Sequence, residues 1–158
     1  AENTAEKDSG PDELKGRVRP GKVTEVYPAW RERVEEVKVA EEMAKKLKDV
    51  APGAAVTVYF GPWCSDSRRE VPRLWKGLEL AGGDVPFSVE YIALDREFDA
   101  GDVSLEGLDV TYVPTFVVKR EGEEVGRIVE SPEEHVVSDL AALLNGEKEG
   151  VISGREDL

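Results

Sequence analysis

Cysteine, histidine and methionine each occur once in the 158 residues. Asparagine occurs twice and glutamine not at all. One cysteine excludes an intramolecular disulfide, and it excludes any multi-cysteine zinc or iron–sulfur site within a single chain. With one histidine beside it, no Ser-His-Asp constellation or metal ligand set can be assembled convincingly. No apolar run approaches the roughly 20 residues that cross a bilayer, so no membrane span is expected. Positive charge is also scarce. Against 34 Asp and Glu stand 21 Lys and Arg, a formal net charge of −13, which opposes binding to phosphate backbones and makes nucleic acid an unexpected partner. The shortage of Asn, Gln, Met and Cys, with abundant Glu and Val, resembles the composition of thermostable proteins.

What is present describes one soluble globular domain, with 40% hydrophobic and 35% charged residues. The segment 1–15 is polar, acidic and unpatterned and reads as a disordered N-terminal tail. Such a start fits an exported chain after signal cleavage, so a periplasmic or extracellular setting is favoured slightly over the cytoplasm. A short strand is expected around Val23 to Val26. After Pro28, the residues Trp30, Val34, Val37, Ala40, Ala44, Leu47 and Val50 recur at steps of three and four, which predicts one long amphipathic helix. Val56 to Phe60 reads as a buried strand. A second amphipathic helix is expected from Ser65 to Leu80, carrying Val71, Leu74, Trp75 and Leu78 on one face and bent by Pro72.

Phe87 to Leu94 reads as a further strand, and 96–112 as a loop with a short helix near Leu105. Thr115 to Arg120 and Val125 to Val129 form a hairpin about Glu121-Gly122. The run Ser131-Pro132-Glu133-Glu134 has the order of an N-cap, a first-turn proline and a capping acid, so the last helix is expected from there to Leu144. Residues 16–146 thus make the domain, and 147–158 a surface-exposed C-terminal tail.

The stretch Tyr59 to Pro72, "YFGPWCSDSRREVP", carries the chemistry. Cys64 stands at a strand-to-helix junction, where unpaired N–H groups and the positive end of the helix dipole stabilise a thiolate over a thiol. Arg68 and Arg69 would add to that effect and Asp66 would oppose it. Ser67, one turn along, has a hydroxyl and an N–H that could donate to the sulfur, or it could satisfy backbone donors of the first turn. Trp63 serves either as core or as a platform for substrate. His135, in the last helix, reads as a surface or packing residue.

Trp63-Cys64 after a strand, Ser67 three residues on, Pro72 eight residues on and Val113-Pro114-Thr115 before the closing hairpin resemble the thioredoxin family, as a single-thiol variant. The resemblance spans about Ala40 to Gly146. It implies an α/β fold with a central mixed sheet of about four to five strands flanked by helices. It also implies a cis bond before Pro114, with Val113 and Pro114 lining the site and pairing with an extended substrate segment. Two departures accompany it. The family's second cysteine corresponds to Ser67, and its buried acid corresponds to Val58, so internal attack on a mixed disulfide is unavailable.

The function expected is monothiol thiol–disulfide exchange through Cys64, supported by Ser67, with Trp63, Val113 and Pro114 binding substrate. That exchange would take the form of mixed-disulfide formation, isomerisation or deglutathionylation, and an external thiol would resolve the mixed disulfide. Partners would be a protein disulfide or thiol and a low-molecular-weight thiol, with no cofactor and a monomeric chain. The alternative is a redox-inactive peptide-binding or adaptor module of the same fold.

Overall fold

The computed structural model describes residues 14–158; of the tail expected over 1–15, all but Leu14 and Lys15 lie outside the described residues. β1 (Gly16–Val18) is followed by α1 (Pro20–Val26), α2 (Ala29–Glu36) and α3 (Glu41–Lys48). Then come β2 (Ala54–Phe60), α4 (Ser65–Leu80), β3 (Ser88–Ala93), β4 (Thr115–Arg120), β5 (Glu123–Val129), α5 (Val136–Leu144) and β6 (Gly150–Ile152). These five helices and six strands make a mixed α/β architecture, with one sheet in the order β1-β3-β2-β4-β5-β6. β2 runs parallel to β3 and β5 parallel to β6, and the remaining pairs are antiparallel.

The sheet has two apolar faces. Val56, Val58 and Phe60 of β2 point into the larger cluster, against Val34 of α2, Leu47 of α3, Leu74 of α4 and Leu140 of α5. Trp30 anchors it, with ring centroids 5.8 Å from Phe60 and 5.4 Å from Trp75. Tyr59 alternates to the opposite face, as pleating requires. There it joins Ile92, Leu94, Ala100, Val113 and Val117, and Phe98, Val103, Leu105, Leu108 and Val110 of the β3–β4 connection pack on them. Among the described residues no helix is long and apolar enough to cross a membrane.

Several elements differ from the sequence expectations. The sheet has six strands instead of four to five, because both ends of the described chain add one. Val23 to Val26 is helical: Pro20 occupies the first helical position, where its missing N–H costs nothing, and Val23 is wholly buried on that helix. The long helix is two helices. Val37 and Ala40 are extended, at ψ 149° and 135°, so the helix stops with the Val37 N–H on Arg33 O and restarts with Ala44 N on Ala40 O, while Val34 and Ala44 still reach the core. Near Leu105 there is only a turn, closed by Leu108 N donating to Leu105 O at 3.1 Å.

The last helix begins at Val136, not near Ser131. The buried Asp139 carboxylate accepts the N–H groups of Glu133 (2.8 Å) and Glu134 (3.2 Å), which holds those residues in a turn. The segment 147–158, expected as a surface tail, contributes β6. Gly126 lies opposite Gly150, and a Cβ at 126 would stand 2.7 Å from the Gly150 carbonyl, so only glycine permits this approach. The hairpin closes on two left-handed residues, Glu121 (φ 53°) and Gly122 (φ 84°), the pairing a twisted two-residue turn needs.

Candidate thiol site

β2 ends at Phe60, and the chain turns through Gly61 to Cys64, whose N–H donates to Gly61 O at 2.8 Å. Cys64 is the N-cap residue of α4, extended at φ −89° and ψ 129°, and its carbonyl accepts from Arg68 N at 2.9 Å. The thiol is thus held at the start of a 16-residue helix that runs through Pro72. Its side chain is part-exposed.

Ser67 is wholly buried one turn on, and its Oγ accepts from Gly61 N at 3.1 Å. The hydroxyl therefore ties the thiol-bearing turn back to the helix. Trp63 folds over Gly61, where a Cβ would stand 2.6 Å from the indole. Its Nε1 donates to Leu94 O at 2.8 Å, Phe98 packs at 6.4 Å between centroids, and the Arg96 guanidinium lies 5.4 Å over the ring. The indole is a fixed wall beside the thiol.

The other side comes from 49 residues away. Cys64 Sγ donates to Val113 O at 3.5 Å, and the Val113–Pro114 bond is cis. Thr115 Oγ1 donates to Tyr112 O at 2.7 Å, and Pro114 O accepts from Glu130 N at 2.7 Å. The fold therefore brings Cys64, Trp63, Val113 and Pro114 to one end of the sheet, with Ser67 beneath.

Charge near the thiol is largely committed. Arg69 pairs with Asp66 (2.8 Å) and with Glu70 (2.7 Å), and Arg68 Nε donates to Pro62 O at 2.8 Å. Burial raises the Tyr59 hydroxyl above its usual range, with Glu90 adding to the shift. Beside the middle of α4, burial holds His135 below the ordinary 6.5, and Arg73 deepens the shift against Glu70 and Asp139.

Four residues escaped sequence reasoning: Glu70, Tyr112, Glu130 and Arg155. Val58 is wholly buried in the large cluster, and Glu70 on α4 is a buried acid, as Asp139 is on α5; Glu70 is bound by Arg69 and Arg73. Tyr112 lies under the Arg155 guanidinium, 4.1 Å from the ring centroid, and Arg155 pairs with Glu130 at 3.0 Å. No motif spacing marks these four. The one local signal is a charged residue, Glu130, directly after the last strand of a hairpin.

No family model matches the sequence, and no curated protein matches it. Solved structures do. A protein of unknown function from Pseudomonas aeruginosa is 17% identical, with 82% of this chain and 88% of that one covered, at a TM-score of 0.55. An HIV epitope-scaffold is also 17% identical, covering 81% and 87%, at 0.55. Mitochondrial thioredoxin 3 from Saccharomyces cerevisiae, in its oxidized form, is 22% identical over 61% and 86%, at 0.37. At 17% identity, the first two likenesses show a shared mixed α/β fold and nothing of activity.

Proposed function

We propose that this chain performs monothiol thiol–disulfide exchange. The observation that carries the reading is the part-exposed Cys64 sulfur at the start of α4, 3.5 Å from the Val113 carbonyl. Cys64 thiolate attacks one sulfur of a substrate disulfide; a bond forms between them, and the other sulfur leaves as a thiolate. An external thiol then attacks the mixed disulfide, carries away the substrate half and restores Cys64. No net oxidation of the protein occurs. Val113 and Pro114 offer a backbone edge to an extended substrate, Trp63 walls the site, and Ser67 holds the thiol-bearing turn through Gly61.

The second reading is an adaptor that binds peptides without exchange. Its favouring observation is that Cys64 packs against the apolar cluster of Tyr59, Leu94 and Val113 and spends its S–H on Val113. The two are separated by incubating the reduced chain with disulfide-bonded proteins, quenching by acid and analysing adducts by mass spectrometry. Exchange predicts partners joined through Cys64, released by added thiol and absent from Cys64→Ala. Recovery of the same partners with Cys64→Ala, and no covalent adduct with the parent, would establish the adaptor instead.

A further inference from the structure

The segment after β6 packs on the residues that follow β5 and on Tyr112, the residue before Val113. Ser153 Oγ donates to Val129 O at 2.8 Å, and Gly154 N donates to Ser131 O at 2.9 Å. A Cβ at Gly154 would stand 2.7 Å from Ser131 Oγ and 3.1 Å from Pro132 O, so the approach is as close as a side chain would forbid. These contacts fix the backbone from which Arg155 projects. Arg155 binds Asp157 through two nitrogens (2.9 and 2.7 Å), donates to Glu130 at 3.0 Å and covers the Tyr112 ring at 4.1 Å. A guanidinium seated over an aromatic face, with its N–H groups bound to carboxylates, is an arrangement lysine does not reproduce.

Glu130 continues the chain of contacts. It is a non-glycine residue in the left-handed region, at φ 65°, an uncommon conformation that surrounding contacts must hold. Its N–H caps the Pro114 carbonyl at 2.7 Å while its carboxylate holds Arg155. Two restraints thus converge on opposite sides of Val113: the Arg155 cover on Tyr112 and the Glu130 bond to Pro114.

We infer that Arg155 and Glu130 are positioning residues for the substrate-docking edge, so that the segment after β6 belongs to the site. The inference rests on the docking role proposed for Val113 and Pro114. An edge that pairs with a peptide backbone must present its N–H and C=O groups within a fraction of an ångström, and Tyr112 to Pro114 lie in a loop without a second strand beyond Thr115 to set them. A role in stability alone would leave docking and intrinsic thiol reactivity unseparated.

Two probes with the same leaving group separate them: the 2-pyridyl mixed disulfide of cysteine amide, and that of an extended pentapeptide with a central cysteine. In both, Cys64 sulfur bonds to the cysteine sulfur and pyridine-2-thione departs, so its absorbance reads the second-order rate. The parent is expected to prefer the pentapeptide. Arg155→Ala and Glu130→Gln are expected to slow the pentapeptide reaction by up to about tenfold, the scale of an exposed cation–π contact plus an ion pair, and to leave the cysteine amide rate unchanged. A parent preference that both variants retain would overturn the positioning role alone, as would equal slowing with both probes. A parent that shows no preference for the pentapeptide would instead overturn the docking reading on which the inference stands.

Discussion

His135 caps α5 with its ring, Nδ1 accepting the Val137 N–H at 3.1 Å, and that bond requires the neutral imidazole. Its folded value lies below the ordinary 6.5, chiefly through burial and then Arg73. Between 6.5 and the lower folded value the unfolded chain binds more protons than the folded one, so stability falls as pH drops through that window and the contribution is whole above it. His135→Asn keeps an N-cap acceptor without the titration. Thermal midpoints from about pH 7 to about pH 5 should fall less in this variant than in the parent, and equal slopes would contradict the assignment. Sequence reasoning placed this histidine on the last helix without seeing the cap, because Ser131 offered a stronger local signature. The same holds at Ser67: its position after Cys64 was legible, but its bond to Gly61 depends on how the turn folds back. Trp63 left two readings open in the sequence, and only the bond to Leu94, 31 residues away, fixes the indole as a wall.

At the scale of elements, periodicity located apolar faces and missed their boundaries. The steps from Trp30 to Val50 continue across a break at 37–40, because both helices pack on the same sheet face and inherit one phase. β6 was illegible for a different reason: three residues carry no usable alternation, and the strand is specified by the space left opposite it. Gly126 is that space. Gly126→Ala would put a Cβ 2.5 Å from Leu143 Cδ2 and 2.7 Å from the Gly150 carbonyl, and backbone cannot yield as a side chain can. The expected loss is about 1–3 kcal/mol, the usual range for overpacking, read as a lower urea midpoint. An unchanged midpoint would mean that β6 does not pair as described. Since the brace on Tyr112 begins just past this strand, the same variant should also slow reaction with the pentapeptide probe.

For the whole molecule, the α/β class and the central elements β2, α4, β4 and β5 were readable, because each combines a propensity run with turn or cap residues. The second apolar face was not. It is covered by the irregular 95–112 connection, whose Phe98, Leu105, Leu108 and Val110 follow neither a helical nor a strand period. That connection packs beside Trp63 and Cys64, so the least legible part of the fold encloses half of the candidate site. The central claim is the proposed exchange through a single thiol, Cys64, with Ser67 one turn along the helix carrying a hydroxyl that cannot resolve a mixed disulfide. The direct measurement is the mass of the pre-reduced protein after single-turnover reaction with insulin, for the parent and for Ser67→Cys. The parent should end covalently joined to insulin, with one insulin thiol released. The variant should end free and two hydrogens lighter, its two thiols joined and two insulin thiols released per molecule. A parent that frees both insulin thiols without remaining attached, or a variant that stays attached as the parent does, would contradict the account.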